Sequence, residues 1–499
     1  MGALVAAAAG AYLRGARPQA EGAAHEAASA LETEEPREAL PLPSRISAIV
    51  VGGGPTPDSN QLSLEEDVRL ATETFGAGAV ALFAGGPGTR SVQVADLEPR
   101  GERLVREIGE LLAPRGGRDA HYRPTSLPLH GAATLAQLEA LLELALEQPG
   151  APLTVYVAGH GEGGESPLDS RTLFWGGDAL DPIGLAGWLD AREPARGVRF
   201  VVTSCFSGGL AEMAFEAADR TRAPSAQDRC GLFATSWDEE ASGCDPDPER
   251  AHHDGFGVHF LLALRGQARD GSERRDEIDL DDDGAIGLYE ALTHARIASR
   301  SIDIPTTTSE TYLRVVARTP PEALPVSASH AGPAPAATRL PEQEAVVEAL
   351  RAAMELTDRD ELAARLGETR ARKAEHDAAV EEASAEADAR YFALVAEVLS
   401  RWPVLDDPYH PDFPGTIERE RAAIERYLAT SPTVQRYLEA DDELSAMGSV
   451  DLAMRLELSL LRRLEQAYET MELASALEAR GGSDWERYLA LRACEWSAP

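Results

Sequence analysis

One histidine and one cysteine follow two short apolar segments of the sequence. Residues 153–157 lead into His160, and residues 198–202 lead into Cys205. Each segment has the length and the apolar composition of a buried β-strand. If these strands are neighbours in a parallel sheet, their carboxyl ends meet at one edge, where ligands bind. A thiol beside an imidazole can then act as a nucleophile, because the histidine takes up and delivers protons.

Glycines flank both of these residues. Gly161 follows His160 directly, and Gly208 follows shortly after Cys205. A glycine lets the backbone approach a substrate closely and leaves N–H groups free to face an oxyanion. A lone strand-end histidine is more often a hydrogen-bonded structural residue, and a lone cysteine is more often a buried apolar one. The pairing of the two in matching positions favours catalysis.

A second group of polar residues has the spacing of a calcium-binding loop. Over residues 279–290, aspartates occupy positions 1, 3 and 5, a glycine occupies position 6 and a glutamate occupies position 12. This is the pattern of the EF-hand loop, in which the glycine makes a sharp turn and the last carboxylate binds through both oxygens. The predicted Ca²⁺ ligands are Asp279, Asp281, Asp283, the backbone carbonyl of Ala285, and Glu290.

The flanks of this loop indicate what kind of calcium site it is. A helix is predicted over residues 287–299, whereas residues 266–276 have the composition of a loop rather than of an entering helix. We therefore expect a solitary calcium loop with a structural or regulatory role. The alternative is an acidic surface loop that binds no metal.

Short apolar segments alternate with helical periods over residues 44–318. Such alternation predicts an α/β fold with a mostly parallel sheet and helices on both faces. The predicted strands are 46–51, 79–83, 153–157, 198–202, 232–235 and 311–316, and the predicted helices between them include 182–191, 208–218, 256–265 and 287–299.

The remaining parts of the chain differ in composition. Residues 1–43 are rich in Ala, Glu and Pro, and are predicted to be a leader or a disordered segment. Residues 319–341 contain six prolines, which predicts a linker. Residues 342–499 are rich in Ala, Glu, Leu and Arg at helical spacing, which predicts an all-α domain. Such a domain can bind a protein partner, recognise substrate or restrain an active site.

The motif His160-Gly after one strand and the motif Ser-Cys205-x-Ser-Gly after another resemble those of the caspase-like and legumain-like cysteine peptidases (clan CD), and in particular the bacterial caspase family proteins. The resemblance extends over residues 46–316. It implies a caspase-like sheet, a catalytic dyad of His160 and Cys205, and an oxyanion site formed by the backbone N–H groups of Gly161 and Cys205. The implied activity is that of a cysteine endopeptidase, which cleaves protein or peptide substrates through an acyl-enzyme.

The resemblance also identifies the segments that line the pocket for the P1 side chain, the residue before the cleaved bond. These segments contain acids and no arginine, and the predicted pocket residues are Asp58, Thr203, Ser236 and Asp238. An acidic pocket favours Arg or Lys at P1 by charge pairing. Because metacaspases carry an acid where Thr203 stands here, Asp or Asn at P1 stays an alternative. A second alternative is a catalytically silent caspase-fold protein that serves as a binding scaffold.

The charge balance excludes several classes of partner. The chain of 499 residues has 84 acidic and 47 basic residues, and its formal net charge is −37. Binding to nucleic acid or to anionic membranes needs a basic surface, so neither partner is expected. No apolar run reaches the ~18 residues of a membrane span.

Composition also bears on where the protein acts. Ala, Gly and Arg are abundant, which indicates a GC-rich genome, and the resemblance named above implies a bacterial one. Residues 1–13 are apolar but lack the basic start of a secretory signal, which favours the bacterial cytoplasm. If residues 1–20 are a degenerate signal, the protein is periplasmic or secreted. Four cysteines are too few for a disulfide framework, although Cys230 and Cys244 can pair in an oxidising compartment.

Overall fold

The chain folds into two compact units. A computed structural model describes residues 38–97, 103–112, 120–249, 254–318, 339–407 and 410–499. Within these ranges, the sheet unit contains residues 38–94, 122–362 and 459–499, and the helical unit contains residues 95–121 and 363–458. Residues 1–37 of the predicted leader and residues 319–338 of the predicted linker lie outside the described ranges.

The strands form one large sheet and two small ones. In chain order the strands are β1 (Ala48–Gly52), β2 (Ala79–Phe83), β3 (Arg90–Ala95), β4 (Ala120–Pro124), β5 (Leu153–Ala158), β6 (Gly161–Glu162), β7 (Arg171–Leu173), β8 (Ala179–Leu180), β9 (Val198–Val202), β10 (Arg229–Phe233) and β11 (Thr306–Thr307). The large sheet has the order β11-β10-β9-β5-β1-β2, and only the β10–β11 pair is antiparallel. The predicted mostly parallel sheet is therefore confirmed.

Helices cover both faces of the large sheet, also as predicted. In chain order the helices are α1 (Leu62–Phe75), α2 (Arg103–Leu112), α3 (Leu135–Leu146), α4 (Pro182–Asp190), α5 (Phe256–Leu264), α6 (Arg275–Ile278), α7 (Leu288–Ala298), α8 (Thr308–Arg318), α9 (Pro341–Ala353), α10 (Arg359–Arg401), α11 (Phe413–Thr430), α12 (Pro432–Arg480) and α13 (Ser483–Trp496). One core contains residues of α1, α5 and α7, and the other contains residues of α3 and α4.

The central strands are mostly apolar because both of their faces are buried. In β1, Val50 points into the core that holds α1, α5 and α7, whereas Ile49 points into the core that holds α3 and α4. Strands covered on both faces lose the alternation of polar and apolar residues. The five residues of β1 and of β9 are all buried.

The strand expected over residues 311–316 is wrong, since these residues belong to α8. Tyr312, Leu313 and Val316 are buried at helical spacing, in a core that also contains Trp485 of α13. Aromatic and β-branched residues favour a strand locally. Here they form the buried face of a helix because α13 packs against that face.

The helical unit confirms the expected helical character of the C-terminal region. It contains α2, α11 and large parts of α10 and α12. Its core includes Leu104, Ile108, Leu394, Phe413, Ile417 and Ile424. In the described part of the chain, no helix is both long enough and apolar enough to cross a membrane.

The compact units do not follow the predicted boundary at residue 342. α9 and α13 belong to the sheet unit, and a disulfide joins Cys494 of α13 to Cys230 of β10. Cys205 and Cys244 are free, so the pairing of Cys230 with Cys244 that the sequence allowed does not form. A separation of 264 residues between the two partners leaves no local signal of the disulfide in the sequence.

Candidate active site and calcium loop

The register of the sheet sets His160 opposite Cys205. β5 and β9 are parallel neighbours, with Val157 paired to Val202. His160 and Cys205 each stand three residues beyond this pair. The structure therefore brings the two predicted catalytic residues to the same edge of the sheet, at the carboxyl ends of adjacent strands.

The turns that carry these two residues are in direct contact. A Cβ placed on Gly161 would lie 2.0 Å from the backbone oxygen of Cys205. A Cβ placed on Gly163 would lie 2.5 Å from the ring of Phe206. Glycine is therefore required at both positions for the two turns to approach as closely as they do.

The turn at Cys205 has a strained backbone. Phe206, which follows the cysteine, has a φ of 58°, in the left-handed region that non-glycine residues rarely adopt. Its N–H donates to the backbone oxygen of Glu239 at 2.9 Å, which helps to hold the conformation. The following residues form short 3₁₀ helices (Ser207–Ala214 and Glu216–Ala218) rather than the α-helix predicted over 208–218.

The Cys205 thiol is held by a single residue, Ala241. The sulfur accepts a hydrogen bond from the N–H of Ala241 at 3.3 Å and donates one to the oxygen of the same residue at 3.6 Å. Burial, together with the neighbouring Cys244, Glu240 and Asp303, raises the pKa of the thiol to about 12, and the hydrogen bond from Ala241 opposes this shift. At neutral pH the sulfur is therefore a protonated thiol rather than a thiolate.

The imidazole of His160 is oriented by two oxygens. Its Nε2 lies 2.7 Å from the backbone oxygen of Ser59 and 3.0 Å from Oε1 of Gln61. Both partners are acceptors, so Nε2 carries the proton and Nδ1 is the basic nitrogen. Burial lowers the pKa of His160, although the Ser59 bond and the charge of Asp58 oppose this shift. The ring is consequently neutral at neutral pH.

The predicted pocket residues lie on segments around this site. Thr203 is half-buried, and its N–H donates to the backbone oxygen of Val157 at 2.9 Å. Asp58 is exposed and close enough to His160 to act on it electrostatically. The hydroxyl of Ser236 donates to Oδ1 of Asp238 at 2.7 Å. The two acids of this set therefore have different partners, since Asp58 acts on His160 and Asp238 accepts from Ser236.

Arg462 of α12 supplies a counter-charge that the sequence reasoning missed. Its guanidinium forms an ion pair with Glu239 and lies 3.7 Å from Asp238. Glu239 also belongs to the peptide that accepts from Phe206, so this arginine stands beside the cysteine turn. A residue more than 200 positions away along the chain gives no signal in the local motif. The acids of this segment are therefore partly neutralised.

The predicted calcium loop brings three carboxylates together. Asp279, Asp281 and Asp283 each offer an oxygen within 4.8 Å of the others. The backbone turns at Gly284, which has a φ of +85°, as the pattern requires. Gly284 N–H donates to Asp279 at 2.9 Å, and Ala285 N–H donates to Asp283 at 2.7 Å. Clustered carboxylates of this kind form the hard oxygen donor set that suits Ca²⁺.

Glu290 closes the loop rather than joining the three aspartates. One oxygen accepts from the N–H of Leu280 at 2.6 Å and the other from the N–H of Gly287 at 2.7 Å. The side chain is buried, which raises the pKa of its carboxyl. The exit helix predicted over 287–299 is present as α7, and the entry is the single-turn helix α6 (Arg275–Ile278).

The exit of this loop packs against the C-terminal residues of the sheet unit. A Cβ on Gly287 would lie 2.2 Å from the backbone oxygen of Trp496, and the N–H of Leu288 donates to the oxygen of Ser497 at 3.2 Å. The loop is thereby tied to the end of α13. No sequence motif indicates this contact.

No protein-family model matches this chain, and no curated protein matches it. The resemblance to caspase-like peptidases therefore stays a prediction, and the functional conclusions below depend on the geometry of the site.

Proposed function

We propose that the protein is a cysteine endopeptidase whose nucleophile is Cys205 and whose acid–base residue is His160. The observation that carries this proposal is the register of β5 and β9, which sets the two residues opposite each other at one edge of the sheet. The close contact between Gly161 and the Cys205 carbonyl supports it. Together these features give the site a nucleophile, a base and glycine-flanked backbone N–H groups.

The mechanism starts from a neutral pair. As Cys205 Sγ attacks the carbonyl carbon of the peptide, its proton passes to Nδ1 of His160, because Nε2 is already protonated and bound to Ser59. The backbone N–H groups of Gly161 and Cys205 donate to the oxyanion that forms. The imidazolium then gives its proton to the leaving amine. Water, deprotonated by His160, hydrolyses the thioester and releases the thiol.

The charges around the site bear on the P1 residue. Asp58 and Asp238 favour a P1 Arg or Lys by charge pairing. The ion pairs of Arg462 with Glu239 and Asp238 favour the second candidate, a P1 Asp or Asn, since they place a guanidinium beside the predicted pocket residue Asp238. We propose the basic specificity because Asp58 is close enough to act electrostatically on His160 at the site itself.

The proposed function includes one structural calcium ion at residues 279–290. Asp279, Asp281, Asp283 and the backbone oxygen of Ala285 would hold it, and Glu290 would move from its backbone partners to complete the set. Calcium would add positive charge that offsets the clustered carboxylates. The peptidase chemistry itself needs no metal.

The test compares Cys205→Ala with Cys244→Ala on fluorogenic peptides that carry Arg, Lys, Asp or Asn at P1, with calcium or with a chelator. We expect Cys244→Ala to retain cleavage after Arg or Lys and Cys205→Ala to lose it, because both variants remove one free thiol and only one removes the nucleophile. Cleavage that survives in Cys205→Ala, or no cleavage by the wild type, would contradict the enzyme proposal. Cleavage after Asp alone would contradict the basic specificity and favour a P1 Asp that pairs with Arg462.

A further inference from the structure

Ala241, the residue that contacts the Cys205 thiol, is held in place by Asp303 through the neighbouring Ser242. Ser242 directly follows Ala241, and its N–H donates to Oδ1 of Asp303 at 2.7 Å while its hydroxyl donates to Oδ2 at 2.9 Å. The Asp303 carboxylate thus binds Ser242 through two hydrogen bonds, one to each oxygen. The Ser242 N–H and the Ala241 carbonyl belong to one planar peptide unit, so fixing Ser242 also restrains the carbonyl that accepts from the thiol.

Asp303 is a rigid support for this grip. Its side chain is 0% exposed, and Oδ2 also accepts from the N–H of Phe256 at 2.7 Å and from the hydroxyl of Ser301 at 2.8 Å. The backbone oxygen of Asp303 accepts from Nε of the buried Arg463 at 2.7 Å. A buried carboxylate is retained only when its oxygens are satisfied, and here several donors satisfy them.

We propose that Asp303 is a positioning residue of the cysteine site, which holds the Ala241–Ser242 segment against the Cys205 thiol through its two bonds to Ser242. This inference rests on the proposed function, because it treats the thiol as a nucleophile whose place matters. Asp303 acts through Ser242 and is not a catalytic residue. Sequence reasoning did not identify it, since no motif surrounds it.

The charge of Asp303 has a second effect on the thiol. Burial, Cys244, Glu240 and Asp303 all raise the pKa of Cys205, and only the bond with Ala241 lowers it. Removing the negative charge of Asp303 thus lowers the pKa of the thiol and increases its thiolate fraction. Loss of the grip also frees the Ala241 peptide, which increases access to the sulfur.

The test measures two properties that should move in opposite directions. In a Cys244→Ala background, Cys205 is the one free thiol among the described residues, so its alkylation by iodoacetamide can be followed by mass. We expect Asp303→Asn to raise the alkylation rate at least about threefold at neutral pH. We expect kcat on the best peptide to fall about tenfold with KM little changed, because a misplaced nucleophile affects the reaction rather than binding.

A matched control is provided by Glu495 of α13. Glu495 is buried and grips Ser309 as Asp303 grips Ser242, with one oxygen on the N–H at 2.7 Å and the other on the hydroxyl. Glu495→Gln should leave both the alkylation rate and kcat within about twofold of the parent, because Ser309 does not contact Ala241. Ser242→Ala removes only the hydroxyl bond and should give a smaller change in the same direction as Asp303→Asn.

Several outcomes would overturn the proposal. These are an alkylation rate that stays at or below the parent value, an unchanged kcat, or equal effects in Glu495→Gln. If Asp303→Asn does not fold, Ser242→Ala decides by the same measurements. If the parent cleaves no peptide, the proposed function fails, and the alkylation rate alone still decides whether Asp303 positions the thiol.

Discussion

Gly161 shows how little space separates the two halves of the candidate site. Its Cα lies against the carbonyl of Cys205, so the turn after β5 and the turn after β9 are in close contact and cannot move independently. Any displacement of Gly161 moves the neighbouring His160 relative to the sulfur. The site therefore tolerates no side chain at this position.

We expect Gly161→Ala to reduce kcat/KM about 100-fold. The new Cβ would meet the Cys205 oxygen at 2.0 Å, which forces the two turns apart, and displacements near 1 Å have effects of this size. The measurement is steady-state hydrolysis of the best fluorogenic peptide, with thermal melting to record stability.

Gly187→Ala in α4 is the control for this substitution. A Cβ at Gly187 meets no atom within 4 Å, so this variant should keep full activity and gain up to about 1 kcal/mol from helix propensity. Equal activity of Gly161→Ala and Gly187→Ala would show that the contact between the turns has no role in turnover.

At the level of residues, the sequence indicates the proposed reacting pair but not the groups that hold it in place. His160 and Cys205 can be found because each follows an apolar strand and is flanked by glycine. The shorter of the two contacts that orient His160 is to the backbone oxygen of Ser59, and a backbone carbonyl is present in every residue type, so the sequence does not mark it. Asp303 and Arg462 act from distant segments, so only the fold reveals them.

The loop 279–290 is the element for which we propose a bound calcium ion. We expect the wild type to bind Ca²⁺ and to melt at a higher temperature with it, because binding to the folded state alone stabilises that state. Asp281→Asn should weaken Ca²⁺ affinity at least about tenfold, since it removes one charged ligand while keeping an acceptor for the Asp283 N–H. Calorimetric titration measures both affinities.

Asp282→Asn is the matched variant in the same loop. It removes the same charge from position 4, which supplies no ligand in the EF-hand pattern, and asparagine tolerates the φ of 58° found there. It should bind Ca²⁺ with nearly wild-type affinity. Equal weakening by the two substitutions would show that only net charge matters, and absence of calcium binding in the wild type would leave the loop as an acidic turn.

Elements differ in how well the sequence predicts them. The turn at 279–290 can be identified because its aspartates and its glycine follow a fixed spacing within one short segment. The segment 311–316 cannot, because its apolar and β-branched residues fit a strand as well as one face of a helix. The helix is stabilised over the strand by α13, which lies far along the chain and packs on the apolar face of this segment.

At the scale of the whole molecule, the two compact units differ from the domains that composition predicts. The change of composition near residue 341 predicts a separate helical domain, yet α9 and α13 join the sheet unit. Composition reports which residues can form helices, whereas packing decides which helices share a core. Arg463 illustrates this, since it reaches from α12 to bond the backbone oxygens of Asp303 and Ser301.

We expect the cross-link between β10 and α13 to stabilise the sheet unit. Replacing both Cys230 and Cys494 by alanine should reduce the free energy of unfolding by roughly 3–5 kcal/mol, because the disulfide restricts a long loop of the unfolded chain. Thermal or urea unfolding measures the change. The double variant Cys205→Ala and Cys244→Ala, which removes the two free thiols, should unfold like the wild type.

The same cross-link makes residues 230–494 a closed covalent ring. The ring contains the calcium loop, α8 and the proline-rich segment 319–341. A single cut inside it opens the ring without releasing a fragment, so the two products travel together until a reductant separates them. A cut within 319–341 would thus release no smaller fragment on a non-reducing gel, and α13 would stay covalently joined to β10.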